Sequence, residues 1–322
     1  CSQPRNRATL PVTSLVPSLS GLSLGCGNFG GIGSSPEFFG QGTDEETAFA
    51  IMDAAWAAGI HWFDTADGYG GGRSEEFIGR WRSARQPDGL TLTTKVFHST
   101  SGEPGDTGLA PDRVRRQIEG SVARLGVDRI DLYLAHEPDP ATPLADTIAT
   151  FEQLRAEGLI GAWGLSNYDA TGIREALSVA QPALVQNSFS LLDRGDELEV
   201  LPLCGERGIG YAPFGPLSGG WLTGKYRRGE AFPVGSRMTL RPGPYERLVD
   251  DSVFDGLERL EALAAARGVE MSTLAFAWVL AHEHVTGAVC GPNRPEQLAP
   301  VLAARELELS DQEHREIGAF FS

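Results

Sequence analysis

HWFDTADGYGGGRSEEFIGRWRSARQPDGLTLTTKV, residues 61–96, is a strand, a helix and a second strand in succession. His61 to Asp64 and Thr91 to Val96 are short runs with little polar alternation, the pattern of strands covered on both faces. Between them Ser74, followed by Glu75 and Glu76, offers a helix N-cap and two carboxylates for the first turn, where they complement the helix dipole.

The same unit repeats in both directions. Leu22 to Cys26 precedes it, and Ile130 to Ala135, Gly161 to Ser166, Leu184 to Asn187, Gly208 to Ala212 and Thr286 to Val289 follow. Longer amphipathic stretches separate the eight runs, which is the signature of βα units in a parallel sheet. One helix, Asp44 to Ala58, sets Ala48, Ile51, Met52, Ala55 and Trp56 on one face behind a capping box of Thr43 and Glu46; Ser310 and Glu313 form another box near the end. The expected fold is α/β: a single (β/α)8 TIM barrel domain over residues 1–322, with irregular loops at the C-terminal face of the strands. Residues 1–20 are expected to be extended or flexible.

Length alone would allow about two domains, but no shift in composition marks a boundary. Pro213 to Pro244 is the longest irregular stretch and has the character of a functional loop. Hydrophobic residues make up 41% and charged residues 22%, enough to bury a large core. No run approaches the ~18 apolar residues of a membrane span, so a cytoplasmic protein is expected. A net charge of −16 argues against nucleic acid or an anionic membrane as partner. Chain position 1 is Cys1, as in a trimmed chain or, less simply, a mature lipoprotein. Cys26, Cys204 and Cys290 lie in apolar surroundings without metal or redox spacing and are expected to be packing thiols; no metal site is expected.

Four polar residues fall at strand ends on the face where barrel enzymes place their sites: Asp64, Lys95, His136 and, in the loop behind Asp64, Tyr69. A lysine at a buried strand end needs a carboxylate partner, and Asp64 on the preceding strand is the natural one. Reduction of a carbonyl leaves negative charge on oxygen and calls for a proton donor within hydrogen-bond reach. A free phenol titrates near ~10, and an adjacent ammonium stabilises its phenolate, so Lys95 is expected to make Tyr69 usable as acid and base. His136 would hydrogen-bond the carbonyl oxygen. Each residue also has an ordinary structural reading as a buried ion pair, a core histidine or a loop aromatic; it is their joint placement that argues for chemistry.

Phe63-Asp64-Thr65-Ala66-Asp67-Gly68-Tyr69-Gly70, continuing through Gly72 to Ser74-Glu75, resembles the signature of the aldo-keto reductase superfamily, in its bacterial and channel-β-subunit-like branches. Further matches follow in family order: Thr94-Lys95, Arg124-Leu125-Gly126, Asp131-Leu132-Tyr133, His136, Gly164-Leu165-Ser166-Asn167, Gln186, Pro216-Leu217, Leu222 to Tyr226, and Gly291 through Pro295 to Leu298. The resemblance implies an NAD(P)(H)-dependent oxidoreductase that interconverts aldehydes, ketones or sugar carbonyls with alcohols, acting on a small molecule with Tyr69 as general acid and base. It also implies that Ser166, Asn167 and Gln186 hold the nicotinamide carboxamide and that Phe214 stacks on the ring. The loop of Gly215, Pro216, Leu217, Ser218, Gly220 and Lys225 would cross the pyrophosphate, with backbone donors at Gly215, Leu217 and Ser218. Gly291, Asn293, Arg294 and Gln297 would meet the adenosine end near a helix start.

The chain departs from relatives at Gly215, where serine is common, at Asn293, where an arginine often grips the 2′-phosphate, and at Pro300 and Val301 near the adenine. Arg294 beside Asn293 favours NADP(H) as cofactor, with NAD(H) as the alternative. Resemblance to channel-associated barrels keeps a second function in view, a cofactor-binding regulatory subunit with little turnover. A third is an isomerase or lyase using Lys95 as a Schiff base. His98 is a candidate to line the pocket, His61 to pack, and Trp221 either to touch substrate or to anchor its loop; His282 and His284 are spaced wrongly for one helix face.

Overall fold

The computed structural model describes residues 21–103 and 105–321; the expectations for residues 1–20, Cys1 included, lie outside it. All eight expected strands form: β1 Gly21–Gly25, β2 Trp62–Asp64, β3 Thr91–Val96, β4 Ile130–Ala135, β5 Ile160–Ser166, β6 Leu184–Gln186, β7 Gly210–Tyr211 and β8 Gly287–Cys290. They are parallel, in the order β7-β6-β5-β4-β3-β2-β1-β8. The sheet curls until its edges meet, where the Thr286 N–H donates to the Tyr211 carbonyl (2.8 Å) and the Val289 N–H to the Pro213 carbonyl (2.9 Å).

Helices α1 Glu45–Ala57, α2 Arg73–Arg85, α3 Pro111–Leu125, α4 Leu144–Ala156, α5 Ala170–Leu177 and α6 Val200–Arg207 follow the first six strands in turn. A short α7, Arg237–Leu240, lies in the long loop after β7, followed by α8 Asp251–Ala266 and α9 Met271–Ala281; α10 Leu298–Glu306 and α11 Asp311–Gly318 follow β8. No single described helix is long and apolar enough to cross a membrane. Cys26, Cys204 and Cys290 are buried free thiols, as expected.

Two helix starts differ from the sequence expectation. Asp44, not Thr43, caps α1, accepting from the Thr47 N–H at 2.9 Å. Thr43 is held in a β-bridge instead, bonding through its backbone to Asn28 and Gly30, so the Thr43–Glu46 box does not form. Helix α2 starts before Ser74 because Gly70, Gly71 and Gly72 take positive φ (61°, 69° and 90°), a conformation glycine adopts without a Cβ penalty. Ser74 thereby turns inward, 2.7 Å from the Thr65 hydroxyl and donating to the Cys26 carbonyl at 2.9 Å. The Ser310–Glu313 capping box is present as expected.

Side chains alternate across each strand, and the alternation sorts this sheet into two layers. Trp62, Leu132, Leu134, Ala162, Leu184 and Ala212 form a compact apolar plug inside the barrel. Residues of the other parity, such as Phe63, Val96, Tyr133, Leu165, Val185 and Tyr211, pack outward in the main core with the helices. Counting up by two from the plug gives Asp64, His136, Ser166, Gln186 and Phe214, and from Thr93, which accepts a hydrogen bond from the Trp62 indole at 2.7 Å, it gives Lys95. The plug closes the lower barrel, and the same inward column is polar at the mouth.

Glu75 ties the shell to the sheet. Its fully buried carboxylate accepts from the Thr94 hydroxyl (2.5 Å) and from Arg124 Nε (2.7 Å). Removing one partner of such a pair leaves the other charged and poorly solvated. Glu75→Ala is therefore expected to lower stability by about 3–5 kcal/mol, read as a shift of the urea midpoint. A loss under roughly 1 kcal/mol would place this pair among surface ion pairs in effect.

Candidate active site

Asp64 ends β2, Lys95 lies one residue from the end of β3, and His136 follows β4, so three adjacent strands deliver them to one side of the mouth. The glycine-rich turn then folds Tyr69 back over the strand ends. Its ring packs against Gly27, where a Cβ would stand 3.4 Å from the Tyr69 edge, an ordinary contact.

The Lys95 ammonium donates to Asp64 Oδ1 at 2.6 Å, to the Thr65 carbonyl at 2.9 Å and to the Tyr69 hydroxyl at 3.5 Å, which uses its three N–H groups. Asp64 Oδ2 accepts from Gln186 Nε2 at 2.8 Å. His136 Nε2 lies 3.5 Å from the same Tyr69 hydroxyl. The four expected residues thus form one connected group, linked through Gln186 to β6.

Burial and charge oppose each other here. Burial disfavours the Lys95 ammonium, but Asp64 and Tyr69 outweigh it and hold the lysine above its ordinary range. For Tyr69 burial dominates: it raises the phenol's pKa, Lys95 pulls it back only in part, and Asp64 raises it further. The ammonium therefore does not bring this phenol below its ordinary value, because the hydroxyl has also lost water. Burial, Lys95 and His98 push His136 well down, which leaves a neutral imidazole. Asp67, of the same signature, is buried apart from this group, and burial and Glu75 push its carboxyl well up. Lys95 is a poor imine former in this setting, since its nitrogen is charged, fully committed and 1% exposed.

The remaining candidates fall as follows. His98 stands beside His136 with ring centroids 4.7 Å apart. His61 is exposed at the opposite end of the barrel and lies against Trp56 rather than in the core. Trp221 is fully buried among Tyr226, Phe232 and Phe254, so it anchors its loop. No cluster with metal-binding geometry exists among the described residues, His282 and His284 included.

The profile of the Aldo/keto reductase family matches residues 22–321, nearly the whole chain. The chain belongs to the aldo/keto reductase family. It is 32% identical over 315 residues to an NADH-specific methylglyoxal reductase of Escherichia coli, covering 94% of each chain. It is also 32% identical to a probable voltage-gated potassium channel subunit beta of Oryza sativa subsp. japonica, over 84% of this chain and 85% of that one. Among solved structures, the glycerol dehydrogenase from Gluconobacter oxydans superimposes with a TM-score of 0.80 at 27% identity, over 93% of this chain and 90% of that one.

Aldo/keto reductases are oxidoreductases that use nicotinamide cofactors, and in this aldo/keto reductase the residues expected to hold one line the mouth beside Tyr69. Ser166 ends β5; Asn167, at a left-handed φ of 62°, donates to the His136 carbonyl at 2.9 Å. Gln186 ends β6 with its amide nitrogen committed to Asp64, which leaves its oxygen as the acceptor. Phe214, half-buried, follows β7. In the loop beyond it, Pro216 is buried, and Gly215 and Gly220 take φ of 68° and 93°, where a Cβ at Gly220 would collide with the Lys225 ammonium. The Ser218 N–H is engaged by the Gly215 carbonyl at 2.8 Å and its hydroxyl lies 2.7 Å from that of Ser190, so the expected backbone donors reduce to Gly215 and Leu217.

At the far end Gly291 follows β8, and the Asn293 N–H donates to Gln297 Oε1 at 2.7 Å, which ties the two residues together. Arg294 next to them is exposed. Val301 is buried in the core. Two residues here were not foreseen. Asn28 donates to Asn293 Oδ1 at 2.7 Å and accepts from Arg237, so loops after β1, β7 and β8 are joined across the mouth. The available signal was a cation in the loop Pro213 to Pro244, already marked as functional.

Proposed function

We propose that this aldo/keto reductase reduces the carbonyl of a small aldehyde, ketone or sugar, and oxidises the matching alcohol, with Tyr69 as proton donor and acceptor. The reading rests on one observation, the Lys95 ammonium shared between Asp64 and the Tyr69 hydroxyl, with a neutral imidazole on the other side of that hydroxyl. A bound nicotinamide supplies or accepts the hydride. Negative charge gathers on the carbonyl oxygen; the Tyr69 hydroxyl gives it a proton, and the phenolate left behind is stabilised by Lys95. Asp64 keeps Lys95 charged and in place. His136 hydrogen-bonds the same carbonyl oxygen and sets the approach of the substrate.

The residues present fit such a cofactor. Lys225 and Arg237 have no carboxylate partner among the described residues, although the chain carries a net charge of −16. Unneutralised cations over a groove suit a pyrophosphate. On this reading Ser166, Asn167 and Gln186 hold the carboxamide, Phe214 stacks on the ring, and Gly215, Leu217, Lys225 and Arg237 face the phosphates. A preference for NADPH would rest on Arg294, whereas the Escherichia coli relative is named as NADH-specific. Arg294→Ala is expected to raise the KM for NADPH about tenfold and leave that for NADH within about twofold. Equal changes for both would remove Arg294 from 2′-phosphate recognition.

The relatives named as channel subunits support a second reading, a cofactor-binding subunit with little turnover. The connected tetrad favours an enzyme. NAD(P)H oxidation with a panel of small carbonyls decides between them: steady turnover is expected, and tight cofactor binding without turnover would favour the subunit.

A further inference from the structure

One wall of the mouth carries polar groups that neither the proton-transfer group nor the cofactor groove uses. His98 follows β3 and Glu137 directly follows His136; His98 Nε2 lies 3.0 Å from Glu137 Oε1. Both side chains are partly exposed, 26% for His98 and 42% for Glu137, so the pair can be reached from solvent next to His136. It is also fixed to the site, because the His98 ring packs edge-on against His136, which itself packs edge-on against Tyr69 with centroids 5.5 Å apart.

Ser34, from the loop after β1, lies beside His98. A Cβ built on Gly68, next to Tyr69, would lie 2.9 Å from the His98 Cβ and 3.3 Å from the Ser34 hydroxyl, so Ser34 and His98 flank the same backbone position. That hydroxyl is shielded from solvent and has no hydrogen-bond partner among the described residues. The bond from His98 holds the Glu137 carboxyl below the usual carboxylate range, which keeps it anionic. An ionised carboxylate accepts hydroxyl hydrogens strongly and repels a second anion.

We propose that His98 and Glu137 form a hydroxyl-reading subsite that selects neutral hydroxyaldehydes and hydroxyketones over plain aldehydes and over carbonyl compounds bearing a carboxylate or phosphate. The proposal rests on the carbonyl-reductase reading above. Glu137 accepts from a hydroxyl near the reacting carbonyl, and His98 holds the carboxylate in position.

The test compares kcat/KM for glyceraldehyde, propanal and succinic semialdehyde in the full-length enzyme, with Glu137→Gln and His98→Phe. The glyceraldehyde-to-propanal ratio is expected to exceed about ten in the unmodified enzyme and to fall about tenfold in each variant, mainly through the KM for glyceraldehyde. Glu137→Gln is also expected to raise kcat/KM for succinic semialdehyde by a few-fold. An unchanged ratio in both variants, with propanal still reduced, overturns the subsite and leaves the reductase reading standing. Failure of the unmodified enzyme to oxidise NADH or NADPH with any of the three overturns both.

Discussion

Tyr69→Phe is expected to lower kcat/KM for carbonyl reduction by about a thousandfold or more, within the range that a positioned proton donor contributes, while the Kd for NAD(P)H changes by less than about twofold. The split follows from the geometry. The phenol hydroxyl meets Lys95 and His136 but makes no bond to Ser166, Asn167 or Gln186, so losing it leaves the expected carboxamide contacts in place. No neighbour replaces it well as acid: the Lys95 ammonium keeps two of its three N–H groups on Asp64 and Thr65 and is held above its ordinary range, and His136 is neutral. Stopped-flow reduction and quenching of bound NAD(P)H fluorescence measure the two quantities separately. Near-normal turnover in the variant would remove the proposed mechanism.

The same assignments fix the pH profile. On the proposed mechanism the protonated phenol is the donor for reduction, and its pKa is raised above 10.0, so reductive turnover is expected to be lost only as pH rises through that higher value. The imidazole of His136 is held well below 6.5, so it is already neutral across the physiological range and contributes no limb there. Reduction is expected to be level between about pH 6.5 and 9, and alcohol oxidation, which needs the phenolate, to climb with pH. A reductive limb centred near pH 6.5 would show that His136 titrates in the working enzyme.

Much of this was legible in the sequence, for a physical reason. A strand buried on both faces avoids charge in its interior, so Asp64, Lys95 and His136 stand out against the uncharged Trp62-Phe63, Thr93-Thr94 and Leu134-Ala135. The period of two even marks which polar residues converge, since each is an even step from a plug residue or from Thr93. Helix starts were less legible because adjacent residues compete as caps: Thr43 and Asp44 are both competent, and the backbone bonds of Thr43 to Asn28 and Gly30 decide. The Asn28–Arg237 link joins residues 209 positions apart, and no local pattern reports such a pairing. Nor does sequence give depth of burial, which decides the sign of the Tyr69 shift: the neighbouring ammonium was visible, but the loss of water that outweighs it was not.

Lys95→Met should damage folding and chemistry together. Methionine fills the apolar part of the space, but the Asp64 carboxylate, only 5% exposed, is left with the Gln186 amide as its sole side-chain partner. An uncompensated buried charge costs about 3–5 kcal/mol, so a large drop in the denaturation midpoint is expected, together with loss of turnover because the phenolate loses its counter-charge. Adding Asp64→Asn to Lys95→Met removes the stranded carboxylate and is expected to restore most of that stability and none of the activity. This non-additivity is the signature of two groups in direct contact. It also separates the proposal from a Schiff-base mechanism, which needs a free, neutral Lys95 amine; borohydride treatment with a carbonyl substrate is expected to leave Lys95 unmodified. A double variant as unstable as the single one would mean that Lys95 supports the fold through something other than Asp64, and that the charge relay from Asp64 to Tyr69 is not what holds this site together.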